Sequence, residues 1–200
     1  SLGTAPGSSF SSSSDTLDAV REALEAGVFV IAAAGNRDPQ QNLSDVSSPA
    51  SLSGVIAVGA HDRNGEPWLD SAEGSPTDPE TGKQRVFPNQ KPEIIAPGVD
   101  LWSCRDSERD PPYAFSTGTS DSTVLVTGAL ALILSMHGEE IAGENGIIDQ
   151  HEMELVKVAL ANSARTDFAQ SENHDPKKGY GILDAQEWSR QVEIEFGIGQ

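Results

Sequence analysis

The segment 115–134 constrains the fold most, because a short polar turn opens directly into a long apolar run. Gly118 allows a tight backbone turn, and Ser120 then falls on the first turn of a helix. Free backbone N–H groups and the positive end of the helix dipole favour developing negative charge at that position. This environment suits a nucleophilic serine in acyl transfer. The alternative is that Thr119 or Ser120 simply caps an ordinary core helix.

A second apolar run, 28–34, is rich in β-branched residues and predicts a strand that is buried on both faces, as in a parallel sheet. A helix from Ser14 or Asp15 to about Ala26, ended by Gly27, precedes it. A helix followed by a buried strand is half of a βαβ unit, so the predicted class is α/β.

Asn36 follows the carboxyl end of this strand. In open parallel sheets, ligand-binding sites lie beyond the carboxyl ends of the strands. It is well placed to donate a side-chain hydrogen bond. The alternative is a turn asparagine in the left-handed conformation.

The remaining pattern predicts further strands and helices within one domain spanning 1–200, without repeats. The expected strands are 55–60, 91–99 and 101–104. The segments 62–90, with a turn at Asn64-Gly65, and 105–114 are expected to be loops. The expected helices are a buried one over 120–136 that ends at His137-Gly138, one from the capping box of Asp149 and Glu152 to about Ser163, and a short one after 178–185.

Charge excludes several partners. The chain has 31 acidic and 13 basic residues and a net charge of -18, which argues against nucleic acid and anionic membrane surfaces. The dispersed acidity favours a salt-adapted surface, with an ordinary acidic protein as the alternative. The single cysteine, Cys104, allows no intrachain disulfide, and the four histidines form no zinc motif. No uninterrupted apolar run predicts a membrane span.

Several segments, in this order, resemble the subtilisin-like serine protease family, peptidase S8. They are SLG (1–3), VIAAAGN (30–36), SPASLSGVIAVGA (48–60), KPEIIAPGV (91–99), GTS with a later glycine (118–120 and Gly128) and GYGILDA (179–185). The resemblance implies a three-layer α/β fold with a central, mostly parallel sheet between helices. It also implies that the chain is the C-terminal part of the catalytic domain, incomplete at its N-terminal side.

The resemblance implies roles for particular residues. Ser120 would be the nucleophile and Asn36 the oxyanion donor, with the backbone N–H of Ser120 as the second donor. The pocket for the side chain before the scissile bond would be bordered by Ser1, Leu2, Gly3, Ala32, Ala33, Ala34 and Gly35. Small residues there would favour a large uncharged side chain.

The sequence departs from the family pattern beside the nucleophile, where Asp121, Val124 and Leu125 replace Met, Pro and His. If Asp121 faces the cleft, it disfavours acidic substrates. If it faces away, it stabilises the helix N-terminus by about 0.3–1 kcal/mol. The family's triad Asp and His motifs are absent, and we expect them upstream, so this chain alone should be inactive.

Two functions therefore stay open: a serine endopeptidase, and a non-catalytic module of the same fold that binds peptides or proteins. The resemblance implies a protein or peptide substrate, no cofactor for the chemistry, and an extracellular location. It admits structural calcium but assigns no ligands. The missing half of the domain is the expected partner, and without it an open sheet edge should make the isolated chain aggregate.

Overall fold

The computed structural model describes residues 14–37, 45–105, 110–166 and 174–199. Its helices are α1 (Ser14–Glu25), α2 (Thr119–Ala142), α3 (Gln150–Ser163) and α4 (Ala185–Glu195), with a 3-10 turn at Gly143–Asn145. Its strands are β1 (Ile31–Ala33), β2 (Ile56–His61), β3 (Ile94–Pro97), β4 (Leu101–Cys104) and β5 (Tyr113–Ser116). The mixed order of helices and strands confirms the predicted α/β class.

The central sheet is parallel, in the order β1-β2-β3, with Ile31 opposite Ile56 and Val58 opposite Ile94. Every residue of β2 is buried, as expected for a strand covered on both faces. Side chains that alternate along the strands enter two apolar clusters, one shared with α1 and one shared with α2, α3 and α4. The predicted arrangement of a sheet between two helical layers is confirmed.

Two predicted strands are shorter in the structure, and one strand was not predicted. The segment 91–99 is a strand only at Ile94–Pro97. The segment 28–34 is a strand only at Ile31–Ala33, because the Val28 N–H bonds to the Ala23 carbonyl at the end of α1. Val28 is 53% exposed. The supposed loop 105–114 runs into β5, which pairs antiparallel with β4. Apolar content did not reveal this hairpin, since one of its faces is open to solvent.

Helix α2 is longer and less buried than predicted. It continues past His137-Gly138 because His137 is buried, with Nε2 3.3 Å from Ser189 Oγ of α4. The helix stops at Gly143, whose φ of 59° suits glycine. One face packs on the sheet, whereas Val124, Leu132 and Met136 on another face are 61%, 67% and 61% exposed.

The segment Thr119–Asn145 is long and apolar enough to cross a membrane by length and composition alone, a test that core helices of soluble proteins also pass. Its helix α2 contacts all three strands of the parallel sheet and α4. The length and composition of this one segment are weak grounds for a membrane span.

A buried charged cluster anchors the start of β3. One oxygen of Glu93 lies 2.8 Å from both Lys91 Nζ and Lys157 Nζ, and the other accepts from the Ala57 N–H of β2 at 2.8 Å. Burial, together with the second ammonium of Lys157, lowers the pKa of Lys91 to about 7 although Glu93 opposes the shift. The cluster ties β2, β3 and α3 together.

Candidate active site

The end of β1 is hydrogen-bonded to the start of α2. Asn36 Oδ1 accepts from the Thr119 N–H at 3.1 Å and from Thr119 Oγ1 at 2.9 Å. The Gly35 N–H in turn donates to Thr119 Oγ1 at 3.2 Å. The structure therefore brings Asn36 and the Gly118-Thr119-Ser120 turn together, although 83 residues separate Asn36 from Thr119.

These bonds fix the orientation of the Asn36 amide. A backbone N–H can only donate, so the oxygen of the amide must face Thr119 and Nδ2 must point elsewhere. A Cβ atom built on Gly118 would lie 3.3 Å from Asn36 Nδ2 and 3.8 Å from Ser120 N. One side-chain N–H₂ group and the backbone nitrogen of Ser120 thus border the same small space in front of Gly118.

Neither of the alternatives for these residues is observed. The cap of α2 is Gly118, with no side-chain cap bond, so Thr119 and Ser120 lie inside the first turn. Thr119 uses its hydroxyl to bind Gly35 and Asn36 rather than to cap the helix. Asn36 is not left-handed, because Asp100 is the one non-glycine residue with positive φ in the described segments. Ser120 is exposed to solvent.

Asp121 turns toward this space rather than away from it. Its Oδ2 accepts a hydrogen bond from Ser116 Oγ at 2.9 Å and lies 3.7 Å from the position of a Cβ on Gly118. The residue is half-buried. Over the part of the chain that the structure describes, no cationic side chain forms an ion pair with it.

The alanines predicted to border a substrate pocket are buried in the structure. Ala32 and Ala34 are fully buried, and their side chains belong to the apolar cluster shared with α1. Ala33 is also buried. Only their backbone could therefore border a pocket. Ser1, Leu2 and Gly3 lie outside the described residues.

Ser47 is a neighbour of this site that the sequence did not reveal. Its N–H bonds to the Ala34 carbonyl at 2.7 Å, and its buried Oγ has no hydrogen-bond partner within the described ranges. A Cβ on Gly35, whose φ is 107°, would lie 2.1 Å from Ser47 Oγ, so this position needs glycine. Ser47 adjoins the recognised segment 48–60, which is the one signal that could have pointed to it.

Among the described residues, no histidine is hydrogen-bonded to Ser120. The ring nitrogens of His61, His137 and His174 contact Asp62 O, Ser189 Oγ and Pro92 O, respectively. Burial lowers the pKa of His174 although it lies near Glu93. Over the described residues, no group of three or more His, Cys, Asp or Glu side chains is arranged to hold a metal ion. The local geometry thus offers a serine and two N–H donors without a general base.

Comparison with protein families gives one match, the subtilase family of peptidase S8, over residues 1–181. Among curated relatives, the thermostable alkaline protease of Halalkalibacterium halodurans is 38% identical over 138 residues, which are 68% of this chain and 30% of that protein. Subtilisin DY of Bacillus licheniformis is 34% identical over 119 residues, 60% of this chain and 37% of that protein. The chain spans roughly a third of the length of these relatives.

Solved structures show the same architecture. The prenylagaramide maturation protease PagA superposes with a TM-score of 0.64 at 25% identity, covering 96% of this chain and 59% of that one. The patellamide maturation protease PatA gives a TM-score of 0.63 at 24% identity, covering 98% of this chain and 61% of that one. The second likeness shows the fold alone.

Proposed function

This chain belongs to the subtilase family, and we propose that it carries the nucleophile of a serine endopeptidase. The observation that carries the proposal is the shared space in front of Gly118, which Asn36 Nδ2 and Ser120 N border from two sides. Two N–H donors fixed around one point are what a developing oxyanion needs, because they cost no reorganisation during the reaction. A module that only binds peptides needs neither donor.

In the proposed reaction, Ser120 Oγ attacks the carbonyl carbon of the peptide bond and its proton passes to a histidine. The carbonyl oxygen becomes an oxyanion, held by Asn36 Nδ2 and the Ser120 N–H. Collapse of this intermediate breaks the C–N bond, the histidine gives its proton to the leaving amine, and an acyl-enzyme remains on Ser120. Water then releases the acid by the same steps.

The proposed reaction also needs a histidine and its partner aspartate, and neither is assigned among the described residues. We place both in the protein upstream of residue 1, because no histidine in the described ranges is hydrogen-bonded to Ser120. The chain spans 59% of PagA, which leaves room for such a segment in a protein of that size. On this proposal the 200-residue chain alone hydrolyses no peptide.

The substrate side chain before the cleaved bond is proposed to lie beside the end of β1. Gly35 lacks a side chain there, and Ser47 Oγ lies directly behind it, 2.1 Å from where a Cβ would be. The Ser47 hydroxyl is buried within the described ranges, so it fills the space behind Gly35 and is not open to a substrate group. Because Gly35 has no side chain, we propose that this position favours a large uncharged side chain.

The experiment is cleavage of a casein substrate by the full-length protein, comparing the wild type with Ser120→Ala. Ser122→Ala is the matched control, because Ser122 lies two positions along the same helix and its buried Oγ has no partner in the described structure. We expect Ser120→Ala to abolish cleavage and Ser122→Ala to retain it. Cleavage that survives in Ser120→Ala refutes the proposal.

A further inference from the structure

We propose that Asp121 selects substrates with a cationic side chain, Lys or Arg, at the residue directly after the cleaved bond. The inference rests on the proposed function and goes beyond it, since it assigns a preference on the leaving side of the substrate. It starts from the carboxylate that stands next to Ser120 in the sequence.

The Asp121 carboxylate is held in one orientation. Ser116 Oγ on β5 donates to Oδ2 at 2.9 Å, and this same oxygen lies 3.7 Å from the position of a Cβ on Gly118. That position is also 3.3 Å from Asn36 Nδ2. The carboxylate therefore borders the same space as the two proposed oxyanion donors. Its negative charge opposes the oxyanion unless a cation binds beside it, which is a second reason to expect a cationic substrate group there.

The neighbours of Asp121 differ from those of Asn36. Asn36, Gly35 and Ser47 are grouped at the end of β1, and the side chain before the cleaved bond is proposed to lie there. The other substituent of the reacting carbon is the leaving amine. Asp121 is bonded to Ser116 of β5 instead, and the proposal places the leaving amine, with the residue that carries it, beside this carboxylate.

The charge of Asp121 is offset by the N-terminus of α2 and by the Ser116 hydroxyl, but not by a cation among the described residues. No cation pairs with it over the described part of the chain, and its Oδ1 has no hydrogen bond there. A half-buried carboxylate of this kind attracts an ammonium or guanidinium group and repels a carboxylate. The charge of the whole chain, -18, acts in the same direction.

Three quenched-fluorescent peptides test the inference in the full-length protein. They are identical except for the residue after the cleaved bond, which is Lys, Gln or Glu. The quantity compared is the ratio of kcat/KM for the Lys peptide to that for the Glu peptide, which cancels any general effect on the chemistry. We expect a wild-type ratio above about 10, falling about tenfold in Asp121→Asn, as for the loss of one partly desolvated charge contact.

The matched control is Asp100→Asn. Asp100 is exposed, and its backbone N–H donates to Thr117 Oγ1. The substitution therefore removes one negative charge near the same turn, at a residue that does not border the space in front of Gly118. Asparagine also suits the φ of 55° at Asp100. Its ratio should stay within about twofold of the wild type because exposed charges are screened. Ser116→Ala, which frees the Asp121 carboxylate, should give an intermediate ratio.

The possible failures are distinguishable. A wild-type protein that cleaves all three peptides with the same Lys-to-Glu ratio as Asp121→Asn overturns the inference alone. An equal fall of the ratio in Asp100→Asn and Asp121→Asn also overturns it, because net charge would then suffice. A wild-type protein with no cleavage that depends on Ser120 overturns the proposed function, and the inference falls with it.

Discussion

At the residue scale, Gly118 controls the space between Asn36 and Ser120. Its φ of 166° is extended backbone that any residue adopts, so Gly118→Ala introduces no backbone strain. The new Cβ would stand 3.3 Å from Asn36 Nδ2, where we place the oxyanion. We expect kcat/KM to fall at least about tenfold through the lost charged hydrogen bond, with an unchanged melting curve by circular dichroism. Full activity in a folded Gly118→Ala protein would contradict this placement.

Asn36 has two separable tasks. Asn36→Asp keeps an oxygen for the two bonds from Thr119 but replaces the proposed oxyanion donor by an acceptor. We expect kcat to fall about 10- to 100-fold while thermal stability changes little. The converse variant is Thr119→Val, which removes the hydroxyl that bridges Gly35 and Asn36. It should lower the free energy of unfolding by about 1 kcal/mol and reduce kcat less. Equal rate losses would argue against the assignment of the donor.

At the scale of elements, the buried cluster that joins β2, β3 and α3 makes stability depend on pH. Burial lowers the pKa of Lys91 to about 7, whereas lysine in an unfolded chain titrates near about 10.4. Between these pH values the unfolded chain binds more protons, so folding becomes more favourable as pH rises. Below the folded pKa both states carry the proton and the effect is constant.

Urea denaturation of the full-length protein at pH 7 and pH 9 measures this effect against Lys91→Met. The difference in the free energy of unfolding, wild type minus variant, should increase by about 1–2 kcal/mol toward pH 9. The variant serves as the reference because all other titrating groups are shared. A difference that is constant or falls with pH would show that Lys91 keeps its proton in the folded protein.

At the scale of the whole molecule, apolar surface is left uncovered. Val124, Leu132 and Met136 expose one face of α2, and Leu132 and Met136 line a groove of about 670 Å³ beside α4. In the described structure β1 has a strand neighbour on one side only. An apolar face and an unpaired strand edge both favour association.

We therefore expect the isolated 200-residue chain to self-associate, as measured by sedimentation velocity. Leu132→Glu should reduce the associated fraction, because it places a charge on the exposed α2 face. Val86→Glu is the control, since Val86 is as exposed as Leu132, at 67%, but lies outside that face. A wild-type chain that is monomeric and melts cooperatively would contradict the expectation.

The parts of the fold that follow from local pattern could be predicted from the sequence. Periodic apolar residues, the capping box at Asp149 and the glycine after α1 place most helices and the parallel strands correctly. The strand 101–104 was predicted and is β4. Its partner β5 could not be predicted, because Trp102 and Phe115 pack on each other on an exposed face. Cross-strand pairing of this kind leaves no burial signal in the sequence.

The site was predictable as residue types but not as geometry. The strand end at Asn36 and the turn before Ser120 mark both positions, yet the bonds of Thr119 to Asn36 join residues far apart in the chain. The direction of Asp121 depends on Ser116 of β5, a strand that the sequence did not predict. Ser47 lies behind Gly35 through a loop contact, which no periodicity encodes.

The most direct test of the central claim is the reaction of the full-length protein with a fluorophosphonate probe, followed by mass spectrometry of the labelled peptide. A serine activated by a general base and two oxyanion donors reacts with the probe, and its adduct mimics the tetrahedral intermediate. We predict one adduct, on Ser120, absent in Ser120→Ala, retained in Ser122→Ala and strongly slowed in Gly118→Ala. A folded wild-type protein without an adduct on Ser120, or with the same adduct rate in Gly118→Ala, would contradict the account.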